Sequence, residues 1–289
     1  MKRALLALSM LAQAVGAESD DLSVYAVNYP LAYFAERVAG THADVVLPVP
    51  PGVDPAYWTP DVATIERIQE ADVLLLNGAH YAKWLQWASL RISRTVDTTA
   101  KFRDRYLPLQ DSLTHSHGPA GAHAHGGTAF TTWLDFQQAA LQASAIAEAL
   151  GRKRPALRST FQKNYEALAK DLAALDAELK AVNSTRPLLA SHPVYQYLAR
   201  RYGLNLESVH WEPDSVPDDA QWSELESLLA SHPAGWMIWE GVPNPETERR
   251  LRQMGIRSLV FDPCANRPEQ GDFLSVMRRN VDDLAVAFR

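Results

Sequence analysis

Seven apolar side chains, Leu157, Phe161, Tyr165, Leu168, Leu172, Leu175 and Leu179, recur at intervals of three or four residues. That spacing keeps all seven on one face of an α-helix. Arg154-Pro155 suits the start of such a helix and Asn183-Ser184-Thr185-Arg186-Pro187 suits its end. Short apolar runs lie on both sides of it: Leu22–Val27, Val45–Val49 and Val73–Leu76 before, and Leu188–Ala190, Leu204–Val209, Met237–Trp239 and Leu259–Phe261 after. Each is followed by a helical pattern, and strands that alternate with helices form parallel sheets covered on both faces. A coiled coil would also produce the stripe, but a helix set between two α/β groups is more simply one that packs along both. The expected fold is therefore α/β: two parallel-sheet α/β lobes joined by one long rigid α-helix. The expected boundaries are 18–153 for the N-terminal lobe, 154–186 for the bridging helix and 187–289 for the C-terminal lobe. A single long helix is a stiff connector, so small motion between the lobes is expected.

The first 17 residues are set apart from this plan. Lys2 and Arg3 precede a largely apolar stretch from Ala4 to Val15, and Val15-Gly16-Ala17 is a small-residue cleavage pattern ahead of polar Glu18-Ser19-Asp20-Asp21. The apolar stretch is shorter than the roughly 20 residues that cross a bilayer. Residues 1–17 thus read as a signal peptide cleaved after Ala17, and the remainder as an exported protein. The chain has 28 Lys and Arg against 34 Asp and Glu, net −6, which argues against a nucleic-acid partner. Its single cysteine, Cys264, excludes an internal disulfide and a Cys-rich zinc module. Two residues after Asp262, its thiolate would suit Zn²⁺ or Cu⁺, but a lone cysteine is most often a small buried hydrophobe.

The segment 112–127 carries His115, His117, His123 and His125, four of the nine histidines, among Gly, Pro and Ala. This composition has no core to bury and reads as a mobile loop. In an extended backbone His at i and i+2 project to one side. Two such pairs can present imidazoles to a borderline-soft cation such as Zn²⁺. A solvated linker with incidental histidines is the competing reading. Ordering such a loop costs entropy, so weaker binding than at a preformed site is expected.

Several motifs then fall together. They are Tyr29-Pro30-Leu31 with Val38-Ala39-Gly40, Pro51-Gly52-Val53-Asp54-Pro55 with Thr59-Pro60-Asp61, and Ala71-Asp72-Val73 to Asn77-Gly78 with Trp84-Leu85. Trp133-Leu134-Asp135, Ser191-His192-Pro193 with Tyr202-Gly203-Leu204, and Asp262-Pro263 complete the set. With the signal peptide, two lobes, bridging helix and His-rich loop, the chain resembles the periplasmic zinc/manganese solute-binding proteins of ABC transporters along essentially its whole mature length. The resemblance implies a metal held between the lobes by three imidazoles and a carboxylate, or by two of each. It places His192 and Asp262 at ligand positions. It also marks two departures, because Ala56 and Thr131 stand where the family usually has His. Two protein ligands do not complete a tetrahedral zinc site.

Other residues are candidates to complete it. His80 follows the run Val73–Leu76, near the carboxyl end of a strand where ligands bind in open α/β sheets, and reads equally as a replacement imidazole or a surface-turn histidine. Glu240 follows Trp236–Trp239 in the same way, as a substitute ligand or a support to one. Tyr57 and Trp58 can fill the space left at Ala56. His42, His210 and His232 show no ligand spacing and read as surface or capping residues.

The function that follows is capture of a divalent metal for an ABC-transporter membrane permease by a monomer that does no chemistry. Imidazole favours Zn²⁺ over Mn²⁺, which prefers oxygen, and Mn²⁺ or another divalent transition metal is the alternative. A divergent accessory paralogue that binds or donates metal through its His-rich loop keeps the fold but drops the cleft site. A zinc-dependent hydrolase is disfavoured, since His-Glu-x-x-His and Gly-x-Ser-x-Gly are both missing. An organic ligand among Tyr57, Trp58, Trp84 and Trp239 is a further reading, which buried core aromatics explain equally well.

Overall fold

The structure is a computed structural model and describes residues 21–109, 114–116, 122–124, 127–182 and 185–288. The expected signal peptide, and His117 and His125 of the loop, lie outside the described residues. In the first lobe, β1 (Leu22–Ala26), α1 (Tyr29–Ala39), β2 (Ala43–Val46), α2 (Val62–Glu70), β3 (Val73–Leu76) and β4 (Thr95–Asp97) build one sheet and its covering helices. The strand order is β2-β1-β3-β4 and every pairing is parallel. Short strands β5 (Pro108–Leu109), β6 (Thr114–Ser116), β7 (Ala122–Ala124) and β8 (Gly127–Thr128) follow. The antiparallel register of β6 and β7 sets His115 opposite His123. Two long helices come next, α3 (Phe136–Lys153) and α4 (Arg158–Ala181).

The second lobe repeats the topology. It comprises β9 (Leu188–Ala190), α5 (Gln196–Tyr202), β10 (Leu206–Ser208), α6 (Asp219–Ser231), β11 (Trp236–Trp239), α7 (Pro245–Gln253), β12 (Arg257–Val260) and α8 (Phe273–Ala287). Its parallel sheet runs β10-β9-β11-β12, the same order as the first. Side chains alternate across a strand, and this sheet uses both faces. Leu188, Ala190 and Ile238 join a core continuous with the first lobe, while Leu189, Met237 and Trp239 pack with Trp211, Trp222 and Leu251 in a second core.

The bridging helix is α4, with 24 residues. Phe161, Leu168, Leu172, Leu175 and Leu179 are fully buried on one face, as the stripe requires, while Leu157 and Tyr165 are half-buried. It packs on α1 and α3 of the first lobe and on α8 of the second. Helix α8 returns to the first lobe, where the Phe273 ring meets Phe34 edge-on at 5.2 Å. This long-range return is what makes the core continuous.

Polar bonds also tie the lobes. Tyr197 Oη donates to the Ala129 carbonyl at 2.9 Å, Trp133 Nε1 to the Pro263 carbonyl at 2.7 Å and the Tyr29 amide to the Ala265 carbonyl at 2.8 Å. The Thr131 hydroxyl donates to the Val194 carbonyl. Opening the lobes would expose these buried partners to breakage, each at a cost of about 1 kcal/mol or more. Superimposable solution-scattering curves with and without bound metal are therefore expected. A clear contraction on binding would contradict the stiff-connector account.

Candidate functional site

In an open parallel sheet, ligands sit beyond the carboxyl ends of the strands. Each strand of the second lobe delivers one candidate side chain there: His192 after β9, Glu212 after β10, Glu240 after β11 and Asp262 after β12. All four line a cleft of about 1120 Å³ between the lobes. The facing wall comes from the first lobe and includes Asp54, Tyr57, Trp58, Tyr81, Phe130 and Trp133.

His192 is 7% exposed and its Nδ1 lies 3.6 Å from Glu212 Oε1. Its backbone is fixed by the Ser191 amide, which donates to Ile238 at 2.9 Å, and by the Val194 amide, which donates to the His192 carbonyl at 2.9 Å. Asp262 is fixed as firmly. The side-chain carbonyl of Asn280 accepts the Asp262 amide at 3.2 Å, and Asn280 Nδ2 donates to the Asp262 carbonyl at 2.7 Å. Asp262 Oδ1 accepts the Cys264 amide at 2.7 Å in a turn that holds Cys264 at φ 58°. Burial pushes the Asp262 carboxyl up, and the Cys264 N–H and the nearby Arg279 charge pull it back.

Glu240 carries the clearest electrostatic signature of the cleft. Burial, then the charges of Asp54, Glu212 and Asp262, push its carboxyl up from the usual 4.5 to about 8. Four carboxylates near one another are mutually destabilising, and a divalent cation among them removes that cost. A raised carboxyl favours the fold while it stays protonated. Its contribution is complete below about pH 4.5 and is lost as pH rises through about 8. The metal-free protein should therefore melt at lower temperature at pH 8.5 than at pH 6 as far as this group is concerned, and Glu240→Gln should flatten that dependence. Unchanged pH dependence in Glu240→Gln, followed by circular dichroism, would contradict this assignment.

The remaining candidates are placed as follows. His80 is exposed and is not among the cleft-lining residues. Gly78, Ala79 and His80 have φ of 72°, 48° and 55°, three left-handed residues in a row. This turn brings Tyr81, rather than His80, to the cleft. A side chain at Gly78 would overlap the Thr99 hydroxyl and the Tyr106 hydroxyl. Cys264 is buried and free, as a small hydrophobe would be. Ala56 is fully buried in the core, and Thr131 lines the cleft with its hydroxyl engaged by Val194. His115 and His123 are placed as a cross-strand pair by backbone register, in a two-stranded sheet separate from the two lobe sheets. Among the described residues, no three His, Cys, Asp or Glu side chains stand close enough to form a ready-made metal site.

Two contributors are not apparent from spacing. Glu212 lies four residues beyond β10, and only the sheet brings it to His192. His210, read from the sequence as a surface or capping residue, has its ring 6.0 Å from that of His192. His232 does cap a helix, at the end of α6, with a ring nitrogen 3.0 Å from the Leu188 carbonyl. His42 packs against the Phe161 ring.

Comparison with known proteins agrees with this architecture. The family model described as "ZnuA: Zinc-uptake complex component A periplasmic" matches residues 24–287. The zinc-binding lipoprotein AdcA of Streptococcus pneumoniae is 25% identical over 277 residues, covering 91% of this chain and 55% of AdcA. The chain thus spans about half the length of that relative. The iron ABC transporter substrate-binding lipoprotein MtsA of Streptococcus pyogenes serotype M1 is 25% identical over 281 residues, covering 93% of this chain and 89% of MtsA. Among solved structures, the metal-dependent lipoprotein YcdH of Bacillus subtilis superimposes with a TM-score of 0.79 at 20% identity, covering 93% of this chain and 99% of YcdH. FpvC of Pseudomonas aeruginosa in complex with Mn²⁺ gives 0.74 at 24% identity, covering 92% and 98%. These structural likenesses establish the shared two-lobe fold. The chain belongs to the ZnuA family, the metal-binding solute-binding proteins of ABC transporters, which bind their cargo rather than transform it.

Proposed function

We propose that the protein captures a divalent transition metal ion in the cleft between its lobes and hands it to the permease of an ABC importer, with zinc as the cargo. The observation that carries this reading is the convergence of His192, Glu212, Glu240 and Asp262 from four strand ends on one cleft wall. An imidazole with two or three carboxylate oxygens can satisfy a four-coordinate zinc ion. His192 favours zinc over manganese, while the surrounding oxygens keep manganese and iron within the chemistry of the site. The named relatives vary in the same way, zinc for AdcA and iron for MtsA. On this reading His80 stays outside the ligand set, and the His115, His117, His123 and His125 loop is a second, weaker site.

The test is calorimetric titration of metal-stripped protein with zinc, for the intact chain, His192→Ala and a deletion of 112–127. The deletion should keep one tight zinc and lose only weaker binding. Binding that vanishes with the loop and ignores His192→Ala would instead select the accessory-paralogue reading, in which the cleft holds no metal.

Export follows from the same reading. Residues 1–17 would be removed after Ala17, leaving a monomer of two lobes, 18–153 and 187–289, around the bridging segment 154–186, in the periplasm of its cell. The amino-terminal sequence of the exported protein should begin at Glu18. A start at Met1 in the exported fraction would refute cleavage.

A further inference from the structure

We propose that the metal enters this cleft as a chelate, already held by a small organic molecule that has nitrogen donors and a flat apolar part. The inference rests on the metal-capture reading above and specifies its cargo.

Three observations carry it. The first is size. The cleft has a volume of about 1120 Å³, against about 30 Å³ for each water around an ion, and lies slightly above the roughly 300–1,000 Å³ typical of small-molecule pockets. The second is asymmetry. His192, Glu212, Glu240 and Asp262 all stand on the second lobe's wall, whereas among the described residues the first lobe contributes aromatic rings and a single carboxylate, Asp54. A bare ion bound to the donor wall would leave the aromatic wall facing solvent. The third is rigidity. Tyr81 is wedged edge-on between Phe130 at 5.2 Å and Trp133 at 5.6 Å. With the lobes tied through Trp133 to Pro263 and Thr131 to Val194, the aromatic wall cannot fold down onto an ion. A preformed apolar surface of this kind binds a flat group with little ordering cost.

Charge selects the chelator. The carboxylates Asp54, Glu212, Glu240, Asp262 and Glu269 line the cleft against one guanidinium, Arg267, so a polycarboxylate complex would be repelled. A chelator with amine or imidazole donors leaves the complex cationic and suited to the site. The chelator fills part of the metal's coordination shell, His192 and the carboxylates fill the rest, and the organic part lies against Trp58 and Phe130.

Native mass spectrometry and calorimetry on the metal-stripped full chain test this. The probes are zinc chloride, a 1:1 zinc–L-histidine mixture and a 1:1 zinc–citrate mixture. The expected result is a protein–zinc–histidine adduct at least tenfold tighter than zinc alone, with no citrate adduct. It should disappear in His192→Ala, and Trp58→Ala should weaken it at least tenfold more than it weakens zinc alone. A mass corresponding to protein plus zinc only, with histidine left in solution, would overturn the chelate proposal and leave metal capture standing. An adduct that persists in His192→Ala would overturn it by placing the complex outside the cleft. No zinc retained from any mixture would overturn both this proposal and the capture reading.

Discussion

Replacing His192 by Ala should lower the affinity of the cleft for zinc by about a hundredfold or more, a loss of about 3 kcal/mol at 1.4 kcal/mol per decade. The side chain is a nitrogen donor on the cleft wall that also carries Glu212, Glu240 and Asp262, and the His210 ring lies 6.0 Å from its own. His192 lines the cleft, so water can enter the space it vacates. The loss should be larger for zinc than for manganese, because imidazole contributes more to the former. Competition against a fluorescent zinc indicator would measure this with the loop segment 112–127 removed, so that its histidines do not mask the change. An affinity within threefold of the unaltered protein would show that His192 is not a ligand.

The second large effect lies in the bridging helix. Asp176, 8% exposed on α4, receives Arg201 through two bonds of 2.9 and 2.7 Å and the Tyr202 hydroxyl at 3.0 Å. Lys180, one turn on, lies 3.0 Å away. Arg201 and Tyr202 belong to α5, so this carboxylate fastens the helix to the second lobe. Asp176→Ala removes the carboxylate that accepts both Arg201 bonds and leaves the guanidinium only the longer contact to Asp135 at 3.6 Å, at a cost of about 3 kcal/mol. For a protein of this size that corresponds to a fall in melting temperature of about 10 °C. The carboxyl of Asp176 is held below its usual value, with the bonds from Arg201, Lys180 and Tyr202 outweighing burial. A depressed carboxyl stabilises the fold above its unfolded value of 3.8, and the contribution is lost as pH falls through the lower folded value. The variant should therefore differ most from the unaltered protein at neutral pH and converge with it in strong acid. A melting temperature within 2 °C at pH 7 would mean that α4 is held by its apolar face alone.

That apolar face is the part of the fold most legible in the sequence, because a spacing of three or four residues held over six intervals lines side chains up only on a helix. The strands of both sheets read clearly where they are buried on two faces, as with Leu188–Ala190, although β2 lies at Ala43–Val46 rather than Val45–Val49. β4, Thr95-Val96-Asp97, shows no apolar run, since an edge strand leaves its side chains half-exposed. The return of α8 onto α1 is invisible for a different reason. A buried stripe shows that a helix packs, not which distant helix receives it. At the site, Glu240 is legible because it follows an apolar run directly, whereas His192 and Asp262 are legible through Ser191-His192-Pro193 and Asp262-Pro263, the motifs that carry the family resemblance. The same positional logic points to His80, where a left-handed turn intervenes and Tyr81 faces the cleft instead. Glu212 and His210 come to His192 only through the pairing of β10 with β9, a relation between strands that linear spacing does not encode.

The central claim is that a metal ion is held on the second lobe's wall of the cleft. Anomalous diffraction from crystals grown with zinc, or with zinc and histidine, tests it most directly. The account predicts one strong peak about 2.0–2.2 Å from a ring nitrogen of His192 and from a carboxylate oxygen of Asp262 or Glu240. A fully occupied zinc peak confined to the 112–127 segment, with none in the cleft, would contradict it.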